Sequence, residues 1–302
     1  MALSGIKKVP ALWWLLAVLA VIYANFSYEL FQLENTPLFI ATAISALVVY
    51  KVTHWADAYE HETKESLIWA AVFGCGISAI VTMILYAIIP DDLESNFIVS
   101  LAEESSKAIV MFPLIYLRFV NSWTDGLVFG SMAGLGFSIS EDFWYALDSD
   151  SPLDTIISRE IYSIFGHSLF SAFLFAAICA LYLHSRKKIF LLMAALAIGS
   201  HWLWNVGIEF IDVNDFFLYA IVPPAAFVLL AYFLRSHEKN ELIFWGEKSL
   251  ESGAITPDEL ALASDLNLRK SMRKMLTSGA QRNEFDEKIS SDVQQILGFA
   301  KN

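Results

Sequence analysis

The chain has 302 residues, 56% of them hydrophobic and only 17% charged, with a formal net charge of −12. A soluble chain of this length carries about 25% charged residues, so the long apolar runs exclude a soluble globular protein and define a polytopic membrane protein. Two cysteines, Cys75 and Cys179, both lie inside apolar runs. They read as small core residues, not as a disulfide framework or a metal motif.

The N-terminal stretch SGIKKVPALWWLLAVLAVIYANF has the positive start of a signal peptide. Its apolar run is longer than the core of about 7–15 residues that such peptides carry, so it is expected to remain as a first span. Apolar runs of about 20 residues are long enough to cross a bilayer. They lie near 10–31, 37–55, 67–89, 98–120, 124–147, 160–184, 189–210 and 215–235. The fold class expected is therefore all-α: a transmembrane helix bundle of about eight spans, 1–235, followed by a small helical tail, 236–302. The fourth to sixth spans are interrupted by polar residues.

Lys and Arg set the orientation. Lys7 and Lys8, Lys51 and Lys64, Arg118, Arg186 to Lys188 and Arg235 fall at alternate connections, which predicts that these share the cytoplasmic side. The opposite connections hold Glu34; Asp91, Asp92 and Glu94; Asp148, Asp150 and Asp154; and Glu209, Asp212 and Asp215, with Arg159 alone as a cation. Both termini are thus expected in the cytoplasm.

The tail carries nine Lys or Arg and eleven Asp or Glu. Thr256, Pro257 and Glu259 predict a capped helix start. Lys270, Arg273 and Lys274 could touch anionic lipid, although a solvated helix face is the plainer reading. No nucleic-acid partner is expected.

Charged residues inside a span cost about 2.5–3.5 kcal/mol each near its centre. Glu103, Glu104 and Lys107 therefore need polar neighbours. Glu141, His167, His201 and Asn205 supply candidates on the next three spans. Counted from the predicted outer ends, these residues share one layer, roughly 7–14 Å deep at 1.5 Å per residue. Within helices, Glu103 and Lys107 share a face, as do His201 and Asn205. Gly126, Gly130 and Gly134 form a stripe that lets a neighbouring backbone approach closely. The other histidines, His54, His61, His184 and His237, fall at or beyond the predicted cytoplasmic edge.

Two histidines and a carboxylate can bind a catalytic zinc ion, leaving a position for water. A second carboxylate could take a proton from that water, Lys107 could hold a glutamate ionised, and Asn205 could donate to an oxyanion. This would be peptide-bond hydrolysis within the membrane. The same residues also permit an ion- or proton-coupled transporter, or a non-catalytic membrane scaffold. The matched Gly/Pro interruptions of repeat-built transporters are not seen.

The motifs Glu103-Glu104-x-x-Lys107, Phe137-x-x-x-Glu141, His167 and His201-x-x-x-Asn205 resemble those of the PrsW family of intramembrane proteases. That family lies in the superfamily that includes the CAAX prenyl endopeptidases. The resemblance covers about residues 98–210. CAAX endopeptidases carry EExxxR and FxxxH instead, so Lys107 at the fifth motif position and Glu141 in place of His favour the PrsW branch. The resemblance implies cleavage of a single-pass membrane protein, such as an anti-sigma factor, on the extracytoplasmic side of a prokaryotic inner membrane. Some of the superfamily are treated as metalloproteases and others as glutamate-dependent hydrolases. The expected ligand set for zinc is Glu141, His167 and His201. Glu103 is then the expected base, with Glu104 beside it.

Overall fold

The computed structural model describes residues 36–59, 62–90, 95–116, 119–120, 122–183, 185–210 and 219–298. The expected first span, 10–31, lies outside the described residues. All regular structure among the described residues is helical. The helices are α1 (Thr36–Ala56), α2 (Lys64–Phe73), a π segment (Gly74–Ser78), α3 (Ala79–Ile88), α4 (Asn96–Tyr116), α5 (Trp123–Leu147), α6 (Pro152–Tyr182), α7 (Lys187–Phe210), α8 (Val222–Glu251), α9 (Pro257–Ser264), α10 (Leu266–Met275) and α11 (Gly279–Gly298).

Among the described residues, three helical stretches are long and apolar enough to cross a membrane: Lys64–Ile88, Ser163–Tyr182 and Lys187–Phe210. Ile40–Ala56 is apolar but shorter. The expected span at 124–147, and that at 98–120 as far as Tyr116, are helical without being uniformly apolar, for a physical reason. Residues Thr124 to Ser138 of α5 are buried without a break, and Glu103, Glu104 and Lys107 of α4 are buried too. Their polar groups face protein, so these helices need not be apolar all round.

The chain divides into two compact units, Met1–Thr53 with Thr63–Leu229, and His54–Glu62 with Leu230–Asn302. At the centre of the first is α5. Its start is fixed by a capping box: Ser122 Oγ accepts from the Asp125 N–H, and the Asp125 carboxylate accepts from the Ser122 N–H. Its glycines then let backbones meet. A Cβ at Gly126, Gly130 or Gly134 would collide with the α6 backbone at Phe175, Ser171 or His167. On another side of α5, a Cβ at Gly136 would strike the carbonyl of Ala71, and one at Gly74 that of Ala133. So α5 is clasped between α6 and the α2–π segment. Ser140 Oγ donates to the Cys75 carbonyl at 2.6 Å, inside the π segment. Ladder hydrogen bonds are irregular at such a bulge, and the serine supplies a partner there.

The second unit has its own apolar core. Ala58, Tyr59, Leu242, Ile255, Ala263, Ile289, Val293 and Ile296 are buried together, with Trp245, Leu260 and Phe285 against them. Thr256 and Glu259 form the expected capping box at α9. Arg269 donates to the carbonyls of Leu262 and Ala263, tying α10 to the end of α9. Burial pushes its guanidinium below the usual arginine range. Beyond Arg269, the α10 residues Lys270, Arg273 and Lys274 are exposed and Arg273 pairs with Asp286 at 2.9 Å, so these three line a solvated face.

Candidate active site

Four helices of the first unit carry the site. On α4, Glu103 and Lys107 are one turn apart and Glu104 sits between them on the same inward side. All three are buried, Lys107 completely. The Lys107 ammonium lies 2.7 Å from Glu104 Oε1, 3.7 Å from Glu103 Oε2 and 2.9 Å from His167 Nδ1. It also lies 4.0 Å from the centre of the Phe137 ring, in cation–π contact. A cation taken out of water needs such a set of partners. Glu104, not Glu103, is the tighter partner of Lys107, the reverse of what shared helix face predicted.

On α6, His167 stands between two charged groups. Its Nε2 is 2.8 Å from Glu141 Oε2 of α5. Its Nδ1 faces Lys107 and Glu103, the latter at 4.0 Å. On α7, His201 Nδ1 is 3.0 Å from Glu104 Oε1, and its Nε2 is 3.6 Å from Glu103 Oε2. The two imidazoles are perpendicular, with centres 5.1 Å apart, and Phe170 stacks on His201. Aromatic rings thus exclude water from one side of the pair. Each histidine has a carboxylate on one ring nitrogen, Glu141 or Glu104. That pairing directs a proton to the bonded nitrogen; the other nitrogen of His201 is turned toward Glu103, whereas Nδ1 of His167 also meets the Lys107 ammonium at 2.9 Å.

Glu103 Oε2 is buried and has no hydrogen-bond partner. One ligand atom from each of Glu103, His167 and His201 lies within 4.8 Å of the others. Two imidazole nitrogens and a carboxylate oxygen are the donors of a catalytic zinc site. Formal charge agrees with a cation there. Glu103, Glu104, Glu141 and Asp142 face only Lys107 and Arg159, an excess of two carboxylates among these connected groups. The chain's own residues therefore fit a divalent metal.

Glu141 is not part of this close group. Arg159 Nη2 donates to its Oε2 at 2.7 Å, and Arg159 Nε donates to Asp142 at 2.5 Å. Asn205, one turn beyond His201, donates from Nδ2 to Ser100 Oγ of α4 at 3.1 Å. An oxyanion role would require that amide to leave Ser100. Of the other histidines, His61 and His184 lie outside the described residues. His54 and His237 belong to the second unit.

Sequence reasoning missed three contributors. Arg159 had a signal: it is the lone cation among the acidic connections. Asp142 adjoins Glu141, and only the Arg159 contact distinguishes it. Tyr86, whose hydroxyl donates to Glu103 Oε1 at 2.6 Å, has no sequence signal at all.

An apolar helix bundle that closes around histidines, carboxylates and a lysine has the build of a membrane-embedded hydrolase. A family model described as PrsW family intramembrane metalloprotease matches residues 62–233, more than half of the chain. The chain belongs to that family, and it is a membrane-embedded protease. No curated protein and no solved structure matches it. Membership in a protease family displaces the transporter and scaffold readings.

Proposed function

We propose that the protein hydrolyses a peptide bond of a single-pass membrane protein, such as an anti-sigma factor, using zinc held by Glu103, His167 and His201. The observation that carries this is the buried Glu103 Oε2, which has no hydrogen bond and lies 3.6 Å from His201 Nε2, 3.7 Å from the Lys107 ammonium and 4.0 Å from His167 Nδ1. This ligand set differs from the sequence expectation by exchanging Glu103 for Glu141. A bound zinc ion would polarise the scissile carbonyl and make its water acidic enough to attack near neutral pH.

The remaining groups divide the other tasks. Glu104 orients His201 and is itself held by the Lys107 ammonium at 2.7 Å. Glu141 is the proton acceptor. Its side chain is 18% exposed, against 4% for Glu103 and 1% for Glu104, so water reaches it most readily. Arg159 favours its ionised form and aims it. Asn205 holds α7 against α4 through Ser100 and so keeps His201 in register.

The alternation of basic and acidic connections supports eight spans, both termini in the cytoplasm of a prokaryotic inner membrane and a site toward the extracytoplasmic side. Membrane lipid is then the solvent of residues 1–235, and residues 236–302 form a cytoplasmic helical tail.

Zinc content and cleavage, measured on single variants, test the assignment. Glu103→Ala should lose zinc. Glu141→Gln should keep it and lose turnover by about 10²-fold or more, the scale of a general base. The opposite pattern, zinc lost in Glu141→Ala and kept in Glu103→Gln, would return Glu141 to the metal and Glu103 to the proton. Cleavage at full rate by zinc-free protein would establish the glutamate-only mechanism instead.

A further inference from the structure

The Glu103 carboxylate has two unequal oxygens. Oε2 turns toward the histidines with no hydrogen bond, whereas Oε1 accepts from the Tyr86 hydroxyl at 2.6 Å. Tyr86 lies on α3, which meets α4 at a second, separate bond. One turn earlier, Thr82 Oγ1 and Ser106 Oγ of α4 are 2.6 Å apart and buried. The two bonds run antiparallel: Thr82 meets Ser106, and Tyr86 meets Glu103 three residues earlier. The π segment Gly74–Ser78 precedes α3 immediately. Its extra residue per turn rotates everything after it, which turns Thr82 and Tyr86 together onto α4.

We propose that Tyr86 is a positioning residue of the active site, acting through Glu103. Without its hydroxyl, the carboxylate can rotate and close the 3.7 Å gap to Lys107, as Glu104 already has at 2.7 Å. Oε2 would then be turned from the histidines and paired with an ammonium. By holding Oε1, Tyr86 keeps Oε2 available. Tyr86 is 42% exposed, so it also forms part of the boundary between the buried carboxylate and whatever approaches α3. The inference rests on the reading of Glu103 as a zinc ligand, and the test separates the two.

The experiment uses the full chain in detergent, with zinc affinity measured by chelator competition and kcat and KM measured on a cleavable single-pass substrate. Tyr86→Phe removes only the hydroxyl. Thr82→Val removes the neighbouring α3–α4 bond without touching the site. Loss of an orienting partner typically costs about 10–100-fold in metal affinity or activity. Tyr86→Phe should therefore weaken zinc binding and lower kcat on that scale, with KM unchanged and no greater loss of thermal stability than Thr82→Val. Thr82→Val should leave zinc affinity and kcat close to wild type. A merely structural Tyr86 would give the two variants the same losses, following their stability, and would overturn the proposal. Unchanged zinc affinity in Tyr86→Phe, alongside zinc loss in Glu103→Ala, would also overturn it while leaving the ligand assignment intact. Retention of zinc by Glu103→Ala would instead remove Glu103 from the metal, and kcat then decides. A fall in Tyr86→Phe that Thr82→Val does not share sustains the positioning role; an unchanged kcat ends it.

Discussion

Gly134→Ala adds one methyl group where α5 meets α6. The new Cβ would lie 2.1 Å from the His167 carbonyl oxygen, 2.6 Å from its carbon and 2.9 Å from Ser168 Cα. All three atoms are backbone, so no rotamer can relieve the contact. Reaching ordinary van der Waals distance, 3.4 Å, requires the helices to part by about 1.3 Å. Overpacking of this kind costs about 1–3 kcal/mol. The displaced residue is His167 itself, and a misplacement of about 1 Å at a reacting group can cost 10²-fold in rate. Two controls isolate the cause. Gly126→Ala clashes less, 2.8 Å from the Phe175 carbonyl oxygen, and lies about 12 Å further along α5. It should lower stability with a smaller loss of kcat. Gly199→Ala meets nothing within 4 Å and removes a flexible residue from α7, so it should be neutral or stabilising by about 0.5–1 kcal/mol. The assays are thermal unfolding in detergent and kcat on a single-pass substrate. Wild-type stability and turnover in Gly134→Ala would refute the close α5–α6 contact, and with it the account of how His167 is held.

Arg159→Leu should destabilise the protein by about 3–5 kcal/mol, because it strands the fully buried Asp142. Arg159→Leu combined with Asp142→Leu should recover much of that loss in thermal unfolding, whereas cleavage should stay impaired because Glu141 has lost its guide. In the tail, Thr256→Ala should cost the start of α9 about 1 kcal/mol, read as lost hydrogen-exchange protection over 257–264. The Thr256 backbone N–H and hydroxyl hold the Glu259 carboxyl below its usual range. A carboxyl lowered on folding contributes stability above its unfolded pKa and loses it as pH falls through the folded value. Protection of α9 should therefore decline on acidification in the wild type and much less in Glu259→Gln.

What could be read from the sequence is what depends on spacing along one helix. The stripe at Gly126, Gly130 and Gly134 predicted a close helix neighbour, and the α6 backbone is there. Thr256, Pro257 and Glu259 predicted a capped helix start, and the cap is formed. Hydropathy alone served less well for α4 and α5. It registers the cost of a polar group in lipid, but these helices turn their polar groups toward protein. Burial by neighbouring helices, which no local window reports, decides the matter.

The choice between Glu103 and Glu141 shows where such reasoning stops. Both are glutamates on apolar helices, both are in reach of His167, and depth along the helix puts them in one layer. They differ in what occupies their oxygens. Glu141 Oε2 is shared by Arg159 and His167 Nε2. Glu103 Oε2 is left open because Tyr86 occupies the other oxygen and Lys107 is drawn to Glu104. Those partners come from positions 26, 18 and 17 residues away or from a competing neighbour on the same turn. The first three sit on other helices, so no pattern along one helix announces them. A metal selects among carboxylates by which oxygen is free to bind it, and that freedom is a property of the assembled bundle. Residue type and spacing can therefore nominate candidates for a site, while a division into ligand, base and guide depends on contacts between helices.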